Sequence, residues 1–411
     1  FLPFAIVSLR WLPDRGVVLA RPLGILVIGY VAWLGASIGW WSFSRNTILI
    51  ILLVFSLLAG TSFLAYSKYL FSYLRNNWRY MLSVEVLFLV SFLLFAAIRA
   101  ANPDLWHPWR GGEKPMDLSY LTAIIKSSSM PPYDPWFAGG YINYYYFGLY
   151  LMAFLIKTTG IVPSIAYNLA IPLLFAMTLT AAFSISYNLA ETMRRNKYPR
   201  ISPKSTFVAG LTSAIMVAVL GNLDGMAQVV QGSWQWAVGN DFPSFDFWRS
   251  SRLMPGQIAI TEFPFWSFLF ADLHAHVISI PFALLALGIT LNIALTRADE
   301  GDDFSKGLSL LFLAASIGAL AVINTWEAPT YLIIGCISIL IAEYYHHGGL
   351  SLITILKSIF QSIYIFIIGY LAFIPFHLTY QTFFNSIDKT PHTTEFWRLL
   401  VIFGLFIFII T

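Results

Sequence analysis

Tyr141-Ile-Asn-Tyr-Tyr-Tyr-Phe-Gly-Leu-Tyr-Leu-Met-Ala-Phe-Leu-Ile-Lys157 decides the topology of this chain. The stretch is apolar enough to cross a bilayer and aromatic enough to stay at its edge. Counted as a crossing, it puts the most basic loop, 191–205, outside. Read as a short helix lying in the outer interface or re-entering from it, it leaves that loop inside, and this reading is preferred. Tyr141, Tyr144, Tyr145, Tyr146 and Tyr150 fit that depth, because amphipathic rings favour the headgroup zone.

The rest of the chain makes the membrane setting plain. It is 58% apolar and 11% charged, and its mean hydropathy is +0.71, whereas soluble domains carry about 25% charged residues. Runs such as 47–66, 81–98, 277–295, 308–323 and 358–375 reach or approach the roughly 20 residues that span the hydrocarbon core as a helix. They lack two-residue alternation, so the expected fold is all-α, a polytopic transmembrane helical bundle. Spans are expected at 1–9, 22–41, 47–66, 80–98, 163–190, 206–220, 272–295, 307–323, 329–342, 355–375 and 397–411, about eleven in one domain covering 1–411. Opening at Phe1 without a methionine and stopping at Thr411 inside an apolar run, the chain reads as truncated at both ends. A lone cysteine, Cys336, excludes an intrachain disulfide, and a net charge of +4 gives no case for nucleic acid.

The spans alternate sides. Loops 10–21, 67–79, 191–205, 296–306 and 343–357 hold fourteen of the chain's 24 lysines and arginines, among them Arg10, Arg15, Arg194, Arg195 and Arg297. The positive-inside rule makes that side cytoplasmic, and the acidic group around Asp299 does not overturn it, since carboxylates contribute little. The two long polar stretches, 99–162 and 221–271, then face outward, as expected for a protein of the plasma membrane.

In the first stretch, Gly111-Gly-Glu-Lys-Pro-Met-Asp117 places Glu113 and Asp117 four residues apart beside Lys114. Such a pair can deprotonate a hydroxyl or hold a divalent cation; the plainer reading is a helix start with Asp117 complementing its dipole. Pro115 suits the first helical position, and Leu118, Leu121, Ile124 and Ile125 follow at helical spacing, as in an amphipathic helix on the membrane surface. Three prolines within 131–135 then break the helix near Asp134.

The second stretch ends in Glu262-Phe-Pro-Phe-Trp-Ser-Phe-Leu-Phe-Ala-Asp272-Leu-His-Ala-His276. On a helix, Asp272 and His276 share a face and His274 points away. In an extended segment all three share one side and could ligate one metal. Ionisable groups at a membrane mouth tend to be functional, although histidines can also anchor a helix at the headgroups. Arg249 and Arg252 are candidates to grip a phosphate, or anchors to anionic lipid. Glu327 stands at the next outward corner, and Tyr144 and Tyr145 beside carboxylates would suit a sugar ring.

These blocks together resemble the "YYY" family of polytopic membrane proteins from archaea and Chloroflexi, a domain of unknown function (2298). The resemblance rests on Gly112-Glu-Lys-Pro-Met-Asp117, Asp134-Pro-Trp136 with Gly140, Asn143-Tyr-Tyr-Tyr-Phe-Gly148, Tyr167-Asn168, Glu262-Phe-Pro264 with Ser267-Phe268, Ala271-Asp-Leu-His-Ala-His276 and Asn324-Thr-Trp326. Where that pattern tends towards aspartate after Asn-Thr-Trp, this chain has Glu327. The family in turn is similar to the GT-C membrane glycosyltransferases, which move a sugar from a polyprenyl-phosphate donor to an acceptor outside the cytoplasm. The resemblance implies that reaction class and an acidic residue in the first outer loop. On it, Asp117 or else Glu113 acts as general base. Arg249, Arg252 or Lys114 stabilises the leaving phosphate, and Asp272 and His276 orient the acceptor or, with His274, hold a divalent metal. Asp134, Tyr144, Tyr145, Glu262 and Glu327 join the substrate site, and the bilayer and a polyprenyl-phosphate sugar are the expected partners. A transporter or channel would place ionisable groups deep in the spans; a scaffold subunit would leave the outer carboxylates and histidines unconverged.

Overall fold

The computed structural model of the chain describes residues 1–107, 111–254, 259–296, 303–382, 386, 389 and 393–411. Arg297 and Asp299, which enter the orientation argument, lie outside them. Among the described residues the chain is helical, with no strand beyond an isolated bridge between Tyr133 and Tyr141. By their contacts the described residues group into two compact units. The first is Phe1–Ala214 with Asp272–Gln381, and the second is Ile215–Ala271 with Thr382–Thr411.

In chain order the helices are α1 (Leu2–Ser8), α2 (Ala20–Ser37), α3 (Arg45–Ala65), α4 (Ser67–Ala101), α5 (Lys114–Lys126), α6 (Phe147–Thr159), α7 (Pro163–Asn196) and α8 (Pro203–Ala218). There follow α9 (Asp224–Ala237), α10 (Pro264–Phe270), α11 (Ala275–Ala294), α12 (Asp303–Ile323), α13 (Ala328–His347), α14 (Leu352–Ala372), α15 (Ile374–His377) and α16 (Phe396–Ile410). Among the described residues eight helical segments are long and apolar enough to cross a membrane: α2, α3, α4, α7, α11, α12, α14, and α13 with the short turn Thr325–Glu327 before it. The further crossings expected at 1–9, 206–220 and 397–411 correspond to α1, α8 and α16, helices of 7, 16 and 15 residues.

Within the first unit, α11 is the centre. Its sequence is apolar on all sides, which is the pattern of a helix buried all round, and 78% of its most apolar window is buried against 11% for α3. It packs on α7, α12 and α13, while α4 pairs with α7 and α14 with α12. The α12–α14 crossing is made through glycine: a Cβ on Gly318 would lie 2.3 Å from the Gly369 carbonyl oxygen. Small residues at such a crossing let two backbones approach where lipid offers no hydrophobic drive. The outer helices expose Leu49, Ile50, Leu53 and Leu57 on α3 and Phe360, Ile363 and Phe366 on α14. In water such patches would be a liability; in a bilayer they are the lipid-facing surface.

Only the latter part of the segment 141–157 is helical, in α6 (Phe147–Thr159), a 13-residue helix closed by Gly160 in the left-handed conformation. At 1.5 Å per residue it is about 20 Å long, too short to span. It is buried within the bundle. It packs against α5, α3 and α12, and its residues from Phe147 to Phe154 are all buried. Tyr146 and Tyr150 are 2% and 0% exposed, so they belong to the core and not to an aromatic belt. Trp33 Nε1 donates to Tyr146 Oη at 3.2 Å, and Tyr150 Oη donates to the Gly29 carbonyl at 3.1 Å. Both hydroxyls therefore have partners inside the bundle, which removes their reason to seek headgroups.

The second unit contains α9, α10 and α16. Its core is aromatic, with Phe247 stacked on Trp266 at 4.8 Å and Trp248 edge-on to both Trp266 and Phe270. The Leu223 N–H donates to the Val401 carbonyl at 2.8 Å, tying the start of α9 to α16.

Candidate functional site

The site is assembled at the N-terminus of α5. The first N–H groups of a helix have no partner within it. Here Asp272, 159 residues later in the chain, accepts the Glu113 N–H on its Oδ2 at 2.8 Å. Asp272, Leu273 and His274 are non-helical, and α11 begins only at Ala275. The chain enters this segment through Ala271, whose φ of 60° lies in the left-handed region. The Leu273 N–H donates to Tyr167 Oη on α7 at 2.8 Å, which fixes the extended segment against the bundle.

His274 is the hub. Its Nδ1 lies 2.7 Å from Glu113 Oε2 and 3.9 Å from Asp117 Oδ1, and its Nε2 lies 3.0 Å from Tyr144 Oη. Nδ1 thus sits at ion-pair distance from Glu113, and Nε2 shares a hydrogen bond with the Tyr144 hydroxyl whose direction follows the ring's tautomer. Glu113 keeps a side chain 55% exposed, and its hydrogen bond to His274 holds its carboxyl below the usual range. It is an ionised group facing out, with a histidine behind it.

Asp117 is different. It lies on the inward face of α5 with Leu121 and Ile124, it is fully buried, and neither carboxylate oxygen has a donor. Its neighbour is the carboxyl of Asp272, whose Oδ1 is also buried without a donor. Two carboxyls can share such a contact only with a proton between them. Burial, and then the facing Asp272, push the Asp117 carboxyl well above its ordinary range; burial also raises Asp272, against the pull of the Glu113 N–H. Lys114 is buried beside them, its Nζ donating to the Gly111 carbonyl at 3.2 Å, and its charge acts on both aspartates. Burial lowers its pKa in turn.

The remaining sequence candidates divide. Tyr144 is in the site. Tyr145 flanks it, 5.1 Å from Tyr144 and 5.7 Å from Tyr380 by ring centres. His276 is exposed on the first turn of α11, its ring 5.3 Å from that of His274, and Glu327 lies within electrostatic reach of it. Asp134 is a turn residue, accepting the N–H groups of Trp136 and Phe137 at 2.7 and 3.2 Å. Arg249, Arg252 and Glu262 belong to the second unit. There Arg249 pairs with Asp224 at 2.9 Å and Arg252 with Glu262 at 3.3 Å, so both guanidinium groups already face carboxylates.

A metal at Asp272, His274 and His276 needs three donors on one side. Helix α11 begins between the two histidines, and among the described residues no group of three or more His, Cys, Asp or Glu side chains is arranged to hold an ion.

Two contributors were given no site role by the sequence reading. Tyr167, noted there only within a motif, orients the 272–274 segment from the start of α7. Arg99, buried near the end of α4, donates to Asn168 Oδ1 at 3.0 and 2.6 Å and ties α4 to α7 beside the site. An arginine closing an apolar run was the available cue.

No curated protein and no solved structure matches the chain. Residues 27–411 match the family described as uncharacterized membrane protein (DUF2298). With the match running over nearly the whole of this helical, lipid-facing bundle, the chain belongs to that family of membrane proteins.

Proposed function

We propose that the protein is a membrane glycosyltransferase of GT-C type, moving a sugar from a polyprenyl-phosphate donor to an acceptor on the extracytoplasmic face. The observation that carries the reading is the convergence of Glu113, Asp117, Asp272 and His274 from two distant stretches onto one helix start. The orientation rests on the basic loops, and the count of about eleven crossings belongs to the same proposal.

Glycosyl transfer needs a base for the acceptor hydroxyl and a fixed field around the reacting carbon. The sequence favours Asp117 as base. The geometry favours Glu113, which is ionised, half-exposed and backed by His274. As the acceptor oxygen attacks the sugar carbon, its proton passes to Glu113. The carbon–oxygen bond to phosphate breaks, and the pair leaves with the polyprenyl phosphate. Asp117 and Asp272, sharing a proton beside Lys114, hold the loop and limit negative charge next to the base. Tyr144 orients His274.

The test is release of polyprenyl phosphate from a panel of polyprenyl-phosphate monosaccharides by the chain in proteoliposomes. The expected result is release that falls by about 10²-fold or more in Glu113→Gln, with the folded protein retained. No release from any donor, or equal release by Glu113→Gln, overturns the assignment.

A further inference from the structure

The first unit holds another polar site at the opposite ends of the helices that build the first. Tyr167 meets the carboxylate cluster near the start of α7, and α11 leaves that cluster at Ala275. Their far ends, Thr192 to Asn196 and Leu295, line a cavity of about 140 Å³ together with Arg10, Trp11 and Arg15. At 1.5 Å per residue, α11 alone separates the two sites by about 30 Å.

The loop that supplies Arg10, Trp11 and Arg15 is held in place from several sides. Asp14 is buried; its Oδ2 accepts from Ser184 Oγ at 2.7 Å and from Tyr80 Oη at 2.9 Å, and its Oδ1 accepts the Gly16 N–H at 2.9 Å. The Asp14 and Trp11 N–H groups donate to Asn188 and Asn292 at 2.8 and 3.1 Å. Arg15 stands at φ 53°, a left-handed conformation that residues with a side chain rarely adopt, and its Nη1 donates to the Arg10 carbonyl. Backbone held in this way collects at ligand sites.

The lining is rich in donors and, among the described residues, contains no carboxylate. Arg10, Arg15 and Arg195 bring three guanidinium groups, and Arg195 shares Glu191 with Arg194 at 2.7 Å each. The second observation is Trp11. Its ring is only 9% exposed, and its indole N–H is buried with no acceptor, an exception to the rule that buried donors are satisfied. A cavity of this size takes one tetrahedral oxyanion and a few waters, at about 30 Å³ per water.

We propose that this cavity binds a phosphate group, supplied either by the headgroup of an anionic phospholipid or by a free phosphoryl anion. Arginine grips phosphate oxygens bidentately, and the Trp11 N–H finds there the acceptor that the protein does not provide. The site is independent of the proposed sugar transfer.

The experiment uses the full chain. Melting and calorimetry in detergent are run with inorganic phosphate against chloride at equal ionic strength, and lipid retention is read by native mass spectrometry from phosphatidylglycerol and phosphatidylcholine nanodiscs. Stabilisation by phosphate identifies a free anion as ligand; preferential retention of phosphatidylglycerol without a phosphate effect identifies a headgroup. In either case Trp11→Phe and Arg15→Gly are expected to weaken binding by about tenfold or more, the size of a lost hydrogen bond to a charged group. Each variant is read against its own unliganded melting temperature; Phe keeps an aromatic ring without the indole N–H, and Gly takes the left-handed backbone freely. Phosphate acting no better than chloride, together with equal retention of the two lipids, overturns the proposal. So does wild-type binding by both variants.

Discussion

Asp117 is buried against a second carboxyl group, and that placement ties its protonation to the stability of the fold. A carboxyl whose folded pKa is raised favours folding in its neutral form. Its contribution is complete below the ordinary value near 4 and is lost as pH rises through the raised folded value. Wild-type melting temperature is therefore expected to fall between weakly acidic and alkaline pH, and Asp117→Asn to flatten that slope. The gap should widen with pH, by roughly 2–4 °C for each kcal/mol relieved, in melting curves recorded from pH 5 to 9. Unchanged slopes would mean that Asp117 carries its charge in the folded protein. At the same scale, Tyr144→Phe removes the hydroxyl on His274 Nε2 and leaves the ring; polyprenyl-phosphate release is expected to fall by about tenfold and its pH profile to move, which loss of packing alone would not produce. Part of this was readable beforehand. Asp117, Leu121 and Ile124 fall at helical spacing, so the carboxyl shares a face with the apolar stripe. The role of His274 was not readable, because it depends on whether 272–274 is extended or helical, and pattern alone leaves both open. The pairing of Arg249 with Asp224 was equally hidden, since it joins residues 25 apart through a fold that local sequence does not specify.

Among the elements, α12 and α14 meet with so little room that glycine is required on both. Gly318→Ala would place a methyl group 2.3 Å from the Gly369 oxygen, and Gly369→Ala one 2.7 Å from the Ala314 oxygen. Each is expected to destabilise by about 1–3 kcal/mol, the range for overpacking, measured as lost thermal stability in detergent. Wild-type melting in both would show that the crossing adjusts freely. Ala271 offers the opposite case. At φ 60° its backbone is one that glycine adopts without strain, so Ala271→Gly is expected to hold or raise the melting temperature. The long helices were legible because a run of roughly 20 apolar residues has few other fates in a membrane protein. The course of α6 was only half legible. The basic loop 191–205 and the tyrosines argued against a crossing, and only the partners of Tyr146 and Tyr150 explain why those hydroxyls sit in the core.

At the scale of the molecule, the first unit is a bundle with an apolar flank and a polar cluster at each end, one acidic around Asp117 and Asp272 and one basic around Arg10 and Arg15. The sequence carried the acidic end as two separate motifs and the basic end as loop charges that orient the chain. What it could not carry was the distance between the motifs. That distance has a consequence in time. Glu113 is made long before Asp272, which supplies the acceptor for its N–H across 159 positions. At synthesis rates of about 5–20 residues per second, on the order of ten to thirty seconds pass between the two. During that interval α5 must wait beside the translocation machinery with its first turn uncapped and Asp117 without its acidic neighbour. The maturing protein thus carries a built-in delay, and its carboxylate cluster closes only after the second half has been made.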